Sequence, residues 1–537
     1  MLQGLAFMLQ ANISQQAYSW LSRATYGVSH RLIESFNALS GSERERWESF
    51  VRLQLGAASF VDPETEARIQ KLSLVTMGLG LPELWSQHFL ASRKMTKTPE
   101  NAVAQAMTAK QEKKSRRERR ELALEPVFDC ESAAWIRVIH SPFQIYERMV
   151  EFWHDHFNVF AYEGRVAPAF AILNRDVIRV HALGNFRQLL GLVCRSPAML
   201  FYLDNAFNQA GNPNENFARE LFELHTLGAE NYLGTIERDK VRRDAQNRPE
   251  GYVDGDVYEA ARAFTGWRVE DGTYGLSANS GQFLYSDQWH DRFQKVILGE
   301  KLPEHLPHMK DGENVLDLLC SHSGTARHIV RKLCRRFVSD EPPESLVSKI
   351  AALFLSRKDS PTQIRDTLQD ILVSSEYLSE KAEKFKRPVD YVASLIRALD
   401  GSFEPSERFV AGVNRCGHRF FGWRTPDGPP DVAQPWQSPQ SVIERWRLSQ
   451  QIIAGQLSGC EIDFLATARQ ASTPLQLVDH FAGRMLGPRV SPSLREQLIV
   501  RAAGGRRQDS ALPESLLRER SQQVVELISM SPEFQQR

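Results

Sequence analysis

The amino-acid sequence predicts an all-α protein: a mainly α-helical, multi-helix array with one short β-hairpin-like insertion near residues 274–289. Three observations carry this. Helix starts recur with one signature, a capping residue followed by proline: Ser141-Pro142, Ser196-Pro197, Asn212-Pro213, Ser360-Pro361, Thr473-Pro474 and Ser531-Pro532. Proline at the first helical position loses nothing, because its missing N–H would be unpaired there anyway. Several of these starts have Gln or Glu three residues after the cap, at Gln144, Glu215, Gln363 and Gln476, which is the capping-box spacing. Strand signals are few. The stretch 274–289, rich in Gly, Ser and aromatic residues, is the best hairpin candidate.

In chain order, residues 108–121 come first. They contain the strongly basic run 113–120 and read as a loop, with a solvated charge block as the ordinary explanation. The helix after Ser141-Pro142 carries Glu147 through Phe160. On a wheel of about 100° per residue, Met149, Val150, Trp153, Phe157 and Phe160 form its apolar face, and His156 points into it. His154 falls on the polar side beside Glu147, Glu151 and Asn158. There Glu147, Glu151 and His154 only mimic the spacing of a carboxylate-bridged di-iron site.

The run from Asn212 to Gly228 reads as a complete helix. Asn212 and Glu215 form its capping box, and Gly228 is a natural residue beyond its C-terminus. Glu215, Arg219 and Glu223 make an i, i+4, i+8 ion-pair stripe. His225 falls inside the apolar arc, and Glu220 sits at its edge. Residues 238–254 are polar and aperiodic. A further helix over 256–267 starts with the capping box Asp256/Glu259, and Glu259 can also pair with Arg262. His290-Asp291 and then Lys295 follow the hairpin. His322 precedes the helix that holds Lys332 and Phe337, and reads as a cap-region residue. Residues 424–439, rich in proline, cannot be regular helix or sheet. They suggest a main helical domain over 1–425 and a C-terminal helical region over 426–537.

Composition narrows the class. The chain has 537 residues, 42% hydrophobic and 25% charged, which is ordinary for a globular protein with a large core. Its 66 basic and 66 acidic side chains cancel, so bulk charge gives no argument for nucleic acid as a partner. No apolar run approaches the roughly 18 residues of a membrane span. The first ten residues lack a basic region and a clear cleavage site, so a cytoplasmic location is expected. Six scattered cysteines form no close pair, which disfavours cysteine zinc sites and a disulfide framework. No nucleophile elbow, phosphate-binding loop, HExxH or dinucleotide fingerprint occurs.

The candidate chemistry rests on buried imidazoles, since each needs partners for both ring nitrogens. His156 and Glu220 are the acid/base candidates. His156, His225 and His290 are the candidate metal ligands, with Asp291, Glu223 and Asn205 able to orient them. Imidazole and carboxylate ligands suit a divalent metal, and a haem is the other cofactor the histidines could serve.

The same segments resemble a bacterial family known only as domain of unknown function 1800. The resemblance runs through Ser22–Gly27, Phe152–Phe157, Ala182–Phe186, Ser196–Met199, Tyr202–Asn205 and, at greatest length, Asn214–Gly228. It continues through Asp256-Val257, Ala261–Trp267, His290-Asp291, Thr325-Ala326, Lys332-Leu333 and Phe337-Val338, and covers roughly residues 20–450. It implies a large, mostly helical protein with no established activity. It also implies export in many members and a companion protein of sulfatase-like appearance. The chain departs from the family in showing no export signal, and in matching the Gly-Gln-x-Leu-Phe-x-Pro-Pro pattern only loosely, at Gly417–Trp423 and the proline-rich loop. Beside a metal-free acid/base enzyme that uses His156 with Glu220, two readings stay open. The polar residues form a buried His/Glu/Arg network in a structural or interaction protein, or they build a metal- or haem-dependent hydrolytic or oxidative site between the helices bearing His156 and His225.

Overall fold

A computed structural model describes residues 13–57, 60–95, 109–244, 247–379 and 384–537, with the backbone alone for 109–111. The first ten residues, on which the expectation about export rests, lie outside the described residues. The fold is mainly helical, with three short two-stranded antiparallel sheets among the described residues.

Two apolar cores organise the helices. The first gathers Trp20, Trp47, Met149, Trp153, Leu190, Phe222, Phe264, Leu333 and Leu368. The second gathers Tyr391, Leu395, Leu448, Phe481 and Val524 from the later helices, together with Trp135 and Ile136 from the first third of the chain. One long helix, Ala109–His140, serves both: Leu124 and Val127 enter the first core, and Trp135, Ile136 and Ile139 the second. This helix corrects the expected loop at 108–121, whose described part is its N-terminal end. Lys113, Lys114, Arg116 and Arg117 are exposed, and glutamates interleave with them. Arg117 pairs with Glu121 at 2.5 Å and Lys114 with Glu118 at 3.8 Å, both at i, i+4. Such pairs supply helix stability where apolar burial is absent.

Of the proline-marked starts, Ser196-Pro197 and Thr473-Pro474 open helices at the proline, while the helices after Ser141-Pro142, Asn212-Pro213 and Ser360-Pro361 begin later, at Gln144, Asn216 and Gln363, and some of the glutamines do other work. Thr473 accepts from Gln476 N–H and caps the Pro474–Met485 helix. The helix after Ser141-Pro142 instead starts at Gln144, whose buried amide donates to Val138 O and Ser141 O and accepts from Tyr26 N–H. Gln363 likewise bridges Phe354 O and Phe186 N–H. A fully buried amide must satisfy donors and acceptor at once, so these residues link segments rather than close a cap.

The hairpin lies earlier than its window. Trp267–Asp271 pairs with Asn279–Tyr285, with the turn falling between them. The helix before it is Asp254–Ala263, so Trp267 belongs to a strand and not to the helix end. The expected Asp256/Glu259 box is displaced accordingly: Asp256 is the third helical residue and accepts from Val253 N–H at 3.1 Å. Glu259 is free to pair with Arg262 at 2.9 Å. The segment 424–438 is irregular apart from a short 3-10 turn at Gln434–Gln437, and Pro439, expected to be irregular too, opens the Pro439–Ile453 helix.

Candidate functional site

The Gln144–His156 helix is buried almost all round, which removes the polar face that its wheel suggested. Glu147 is buried against Arg179 at 2.7 Å. His154 Nε2 lies 2.9 Å from Asn174 Oδ1. The side that looked solvent-facing is a second, polar packing surface.

Along that helix Arg148, Glu151 and Asp155 form one charged stripe. Arg148 donates to Asp390 Oδ1 at 2.5 Å and to Thr25 O at 2.6 Å. Glu151 accepts from Tyr26 Oη at 2.6 Å, from Arg336 at 3.3 Å and from Arg387. Asp155 Oδ2 accepts from Arg336 at 2.6 Å and from Arg387 at 2.8 Å. Arg336 Nε also lies 2.7 Å from Asp431 of the proline-rich loop, and Arg537 reaches Asp390 at 3.5 Å. Four carboxylates thus meet four guanidiniums, with Glu151, Asp390 and the four arginines buried and Asp155 and Asp431 partly exposed at the edge.

Burial alone would raise the Asp390 carboxyl. Arg148, Arg537 and Arg387 together hold it well below the usual carboxylate range. Burial acts the same way on Asp431, and Arg336, Arg387 and Lys384 overcome it there. The Tyr26 hydroxyl is pushed far up by burial and then by Glu151, so it remains a donor.

The proline-rich loop closes one side of the network. Gly428, at φ +74°, lets it pass against Asp155 O, where a Cβ would collide with the carbonyl. Asn158 Nδ2 donates to Trp423 O at 3.1 Å and to Thr425 O at 2.8 Å, and Lys384 Nζ donates to Asp431 O at 2.9 Å. The Ser323–Phe337 helix closes another side. His328, Lys332 and Arg336 stand at i, i+4, i+8, on one helical face.

The run from Asn212 to Gly228 is shorter and more irregular than its sequence promised. The α-helix spans Asn216–Glu220 and continues as a π-turn over Leu221–His225. Asn212 sits in a bridge with Gln209, so it caps nothing, and Glu215 gives no capping hydrogen bond. Asn214 takes that place by accepting from Asn216 N–H at 2.9 Å. Arg219 pairs with Glu215 at 3.0 Å and with Asp254 at 3.2 Å rather than with Glu223. Gly228, at φ +93°, donates its N–H to Phe222 O at 3.1 Å and ends the run.

This turn delivers His225 to His156. Their ring centroids lie 5.9 Å apart, and His156 Nε2 lies 3.2 Å from His225 O. His328 adds a third ring 6.2 Å from His156, with its Nε2 3.0 Å from Leu224 O. His156 Nδ1 and His225 Nε2 are buried without a hydrogen-bond partner. Burial, with Lys332 adding to it, lowers His225 to about 3 and drives His156 well below the ordinary imidazole value. Burial therefore favours the neutral form of both rings.

The other expected site residues fall elsewhere. His290 is engaged at both nitrogens, with Nδ1 2.8 Å from Thr265 O and Nε2 3.1 Å from Asp311 Oδ2. Asp291 forms a two-pronged pair with Arg262 at 2.8 and 3.0 Å, and Lys295 donates to Asp311 at 2.6 Å. That set is a closed structural cluster. Asn205 spends its amide on Phe264 O at 3.2 Å and on Asn208. Glu220 is half-buried. Burial raises its carboxyl, Glu223 adds to the effect, and Asp427 of the proline-rich loop adds further. These contacts take His290 out of the set of metal ligands expected with His156 and His225. His290 has no nitrogen to spare, and among the described residues no group of three or more His, Cys, Asp or Glu side chains is placed to hold an ion.

Sequence reasoning passed over Arg336, Arg387, Asp390, Asp431 and Arg537. Arg336 left a signal: it sits at i+3 and i+7 from the apolar Leu333 and Ile329, a charge inside an apolar arc. The segments that build the site, 148–156, 216–228, 328–336, 387–390 and 427–431, are far apart in the chain. No curated protein and no solved structure matches it. The profile described as "Protein of unknown function (DUF1800)" matches residues 19–536 and takes in each of those segments, so the chain belongs to the DUF1800 family.

Proposed function

We propose that this protein is a helical structural and interaction protein, and that its buried His/Glu/Arg network serves packing rather than turnover. One observation carries the reading: the network is closed. Glu151, Asp155, Asp390 and Asp431 are each answered by a guanidinium. A general acid or base needs a proton it can exchange. A carboxylate held by two arginines has given up that freedom, and its partners instead fix where helices and loops sit.

The partner to test first is the sulfatase-like companion that the family resemblance implies. The two chains are co-expressed and run on a size-exclusion column at micromolar concentration. Co-elution as a defined complex supports the interaction role. Separate elution, with no shift in either chain, removes it. Metal and haem content are measured on the same preparation. The structural reading expects neither in stoichiometric amount, and a bound metal lost together with His156→Ala or His225→Ala would favour an enzyme instead.

A further inference from the structure

At the edge of the second core, the Glu407–Arg415 helix packs against the Pro439–Ile453 helix. They touch at Gly412, where a Cβ would meet Leu448 Cδ1 at 2.6 Å. Beyond Ile453, Gly455 at φ +68° turns the chain back, and Gln456 N–H returns to Gln451 O at 2.9 Å. A cavity of about 230 Å³ remains between the two elements. That is room for roughly seven or eight water-sized groups. Arg408, Ala411 and Arg415, at i, i+3 and i+7 on one helical face, form one wall. Gln451, Gln456 and the buried Leu457 form the rest. The side chains of Arg408, Gln451 and Gln456 make no hydrogen bond or ion pair with any described residue. Arg415 has one ion pair, with Glu444 at 3.4 Å, and that acid lies closer to Arg447, at 2.7 Å. No acid borders the cavity among the described residues. An exposed arginine is ordinarily a solvated one. Here two share a cavity with two uncommitted amides and no carboxylate, which is the donor set of an oxyanion site.

We propose that this cavity binds a small phosphate-bearing molecule, whose phosphoryl oxygens accept from Arg408 and Arg415 and from the Gln451 and Gln456 amides. The proposal goes beyond the scaffold reading and does not depend on it. Charge decides the class of ligand. Neither guanidinium can lose its proton, so the site carries two fixed positive charges. A phosphate ester brings nearly two negative charges and three strong acceptor oxygens at neutral pH. A monocarboxylate would occupy one guanidinium fork and leave the other unanswered. The two arginines start about 10 Å apart along the helix axis. The small Ala411 between them leaves space for both long side chains to turn toward one group. The volume suits a phosphate with a short carbon tail, of the size of glycerol phosphate.

The test is isothermal titration calorimetry on the whole protein at fixed ionic strength, with glycerol 3-phosphate, inorganic phosphate and acetate as separate probes. Saturable binding of a phosphate probe at one site per chain is expected, and none of acetate. Tighter binding of glycerol 3-phosphate marks an organic ester as the ligand, and tighter binding of inorganic phosphate marks the free ion. Both outcomes support the site. Arg408→Met should weaken binding about tenfold or more. Arg408→Lys should not restore it, because an ammonium lacks the planar fork. Arg242→Met removes an exposed arginine outside the cavity and should bind as the unsubstituted protein does. Arg408 bonds to no described residue, so its variants should melt with the unsubstituted protein, and Gln456→Ala gives a second, independent loss of affinity. No saturable binding of either phosphate probe at millimolar concentration overturns the proposal. So does binding that acetate matches, or that both Arg408→Met and Gln456→Ala leave unchanged.

Discussion

At the scale of single residues, His156, His225 and Lys332 are groups whose protonation the fold controls. Burial is the first cause of the low affinity of both imidazoles for protons, and Lys332 is the second. A base whose folded pKa is depressed binds its proton more readily when unfolded. Their contribution to stability is therefore full above the unfolded value of about 6.5, and is lost as pH falls through that value toward the folded one. The buried carboxylates Asp390 and Asp431 are also depressed, but their share is lost only below about pH 4. Thermal unfolding followed from pH 7.5 to 5.5 should thus show a falling midpoint before Asp390 and Asp431 titrate, and His225→Asn should flatten that slope. An unchanged slope would mean that His225 is not buried neutral. Lys332 behaves in the same sense at higher pH: its cost is full below about 8 and is relieved as pH rises toward the unfolded value. Lys332→Met should raise stability at pH 7 by about 1 kcal/mol, after discounting for partial exposure. The gain should shrink by pH 10, as denaturant titrations at the two pH values would show.

At the scale of elements, the π-turn at Leu221–His225 decides the geometry of the candidate site. A π-turn adds a residue to the helical repeat and rotates whatever follows it. Thr226 Oγ1 donates to Leu221 O at 2.6 Å, and Gly228 N–H returns to Phe222 O, so the turn is held from its C-terminal side. Gly228 needs its positive φ, and a Cβ there would also meet His328 Nδ1 at 2.6 Å. Gly228→Ala should cost about 1–3 kcal/mol by denaturant unfolding. Because it displaces His328, it should also alter the imidazole signals of His156 and His225 in NMR. An equally stable variant with unchanged imidazole signals would show that the turn does not position the histidines. The existence of this element was legible from the apolar arc and Gly228. Its π character was not, because helical periodicity alone gives no sign of a one-residue insertion.

At the scale of the whole molecule, the ion network joins segments that the chain keeps far apart. Tyr26, Arg148, Glu151, Asp155, Arg336, Arg387, Asp390, Asp431 and Arg537 meet at one place. Removing one partner of a buried pair leaves an uncompensated charge, which costs more than the pair contributes. Glu151→Gln should therefore destabilise the protein by about 3 kcal/mol or more. Because the network borders both cores, the unsubstituted protein is expected to unfold with coincident near- and far-ultraviolet circular dichroism transitions. Glu151→Gln is expected to separate them. Two transitions in the unsubstituted protein would mean that the cores are independent.

By itself, the sequence determined the helical class, the helix starts at Pro197 and Pro474, the irregular proline-rich loop, the Glu259–Arg262 and Glu215–Arg219 pairs, and the burial of His156 and His225. Each follows from periodicity, proline and glycine placement, or i, i+3 and i, i+4 spacing, all of which act within a few residues. Only the tertiary structure decided that the Gln144–His156 helix has no wet face and that a 32-residue helix runs through the expected basic loop. It alone decided that His290 belongs to Asp311, and that Asp155 is claimed by Arg336 and by Arg387, which lies 232 residues away in the chain. Burial and ion pairing between distant segments depend on how the helices assemble, and no local pattern encodes which charge will face which.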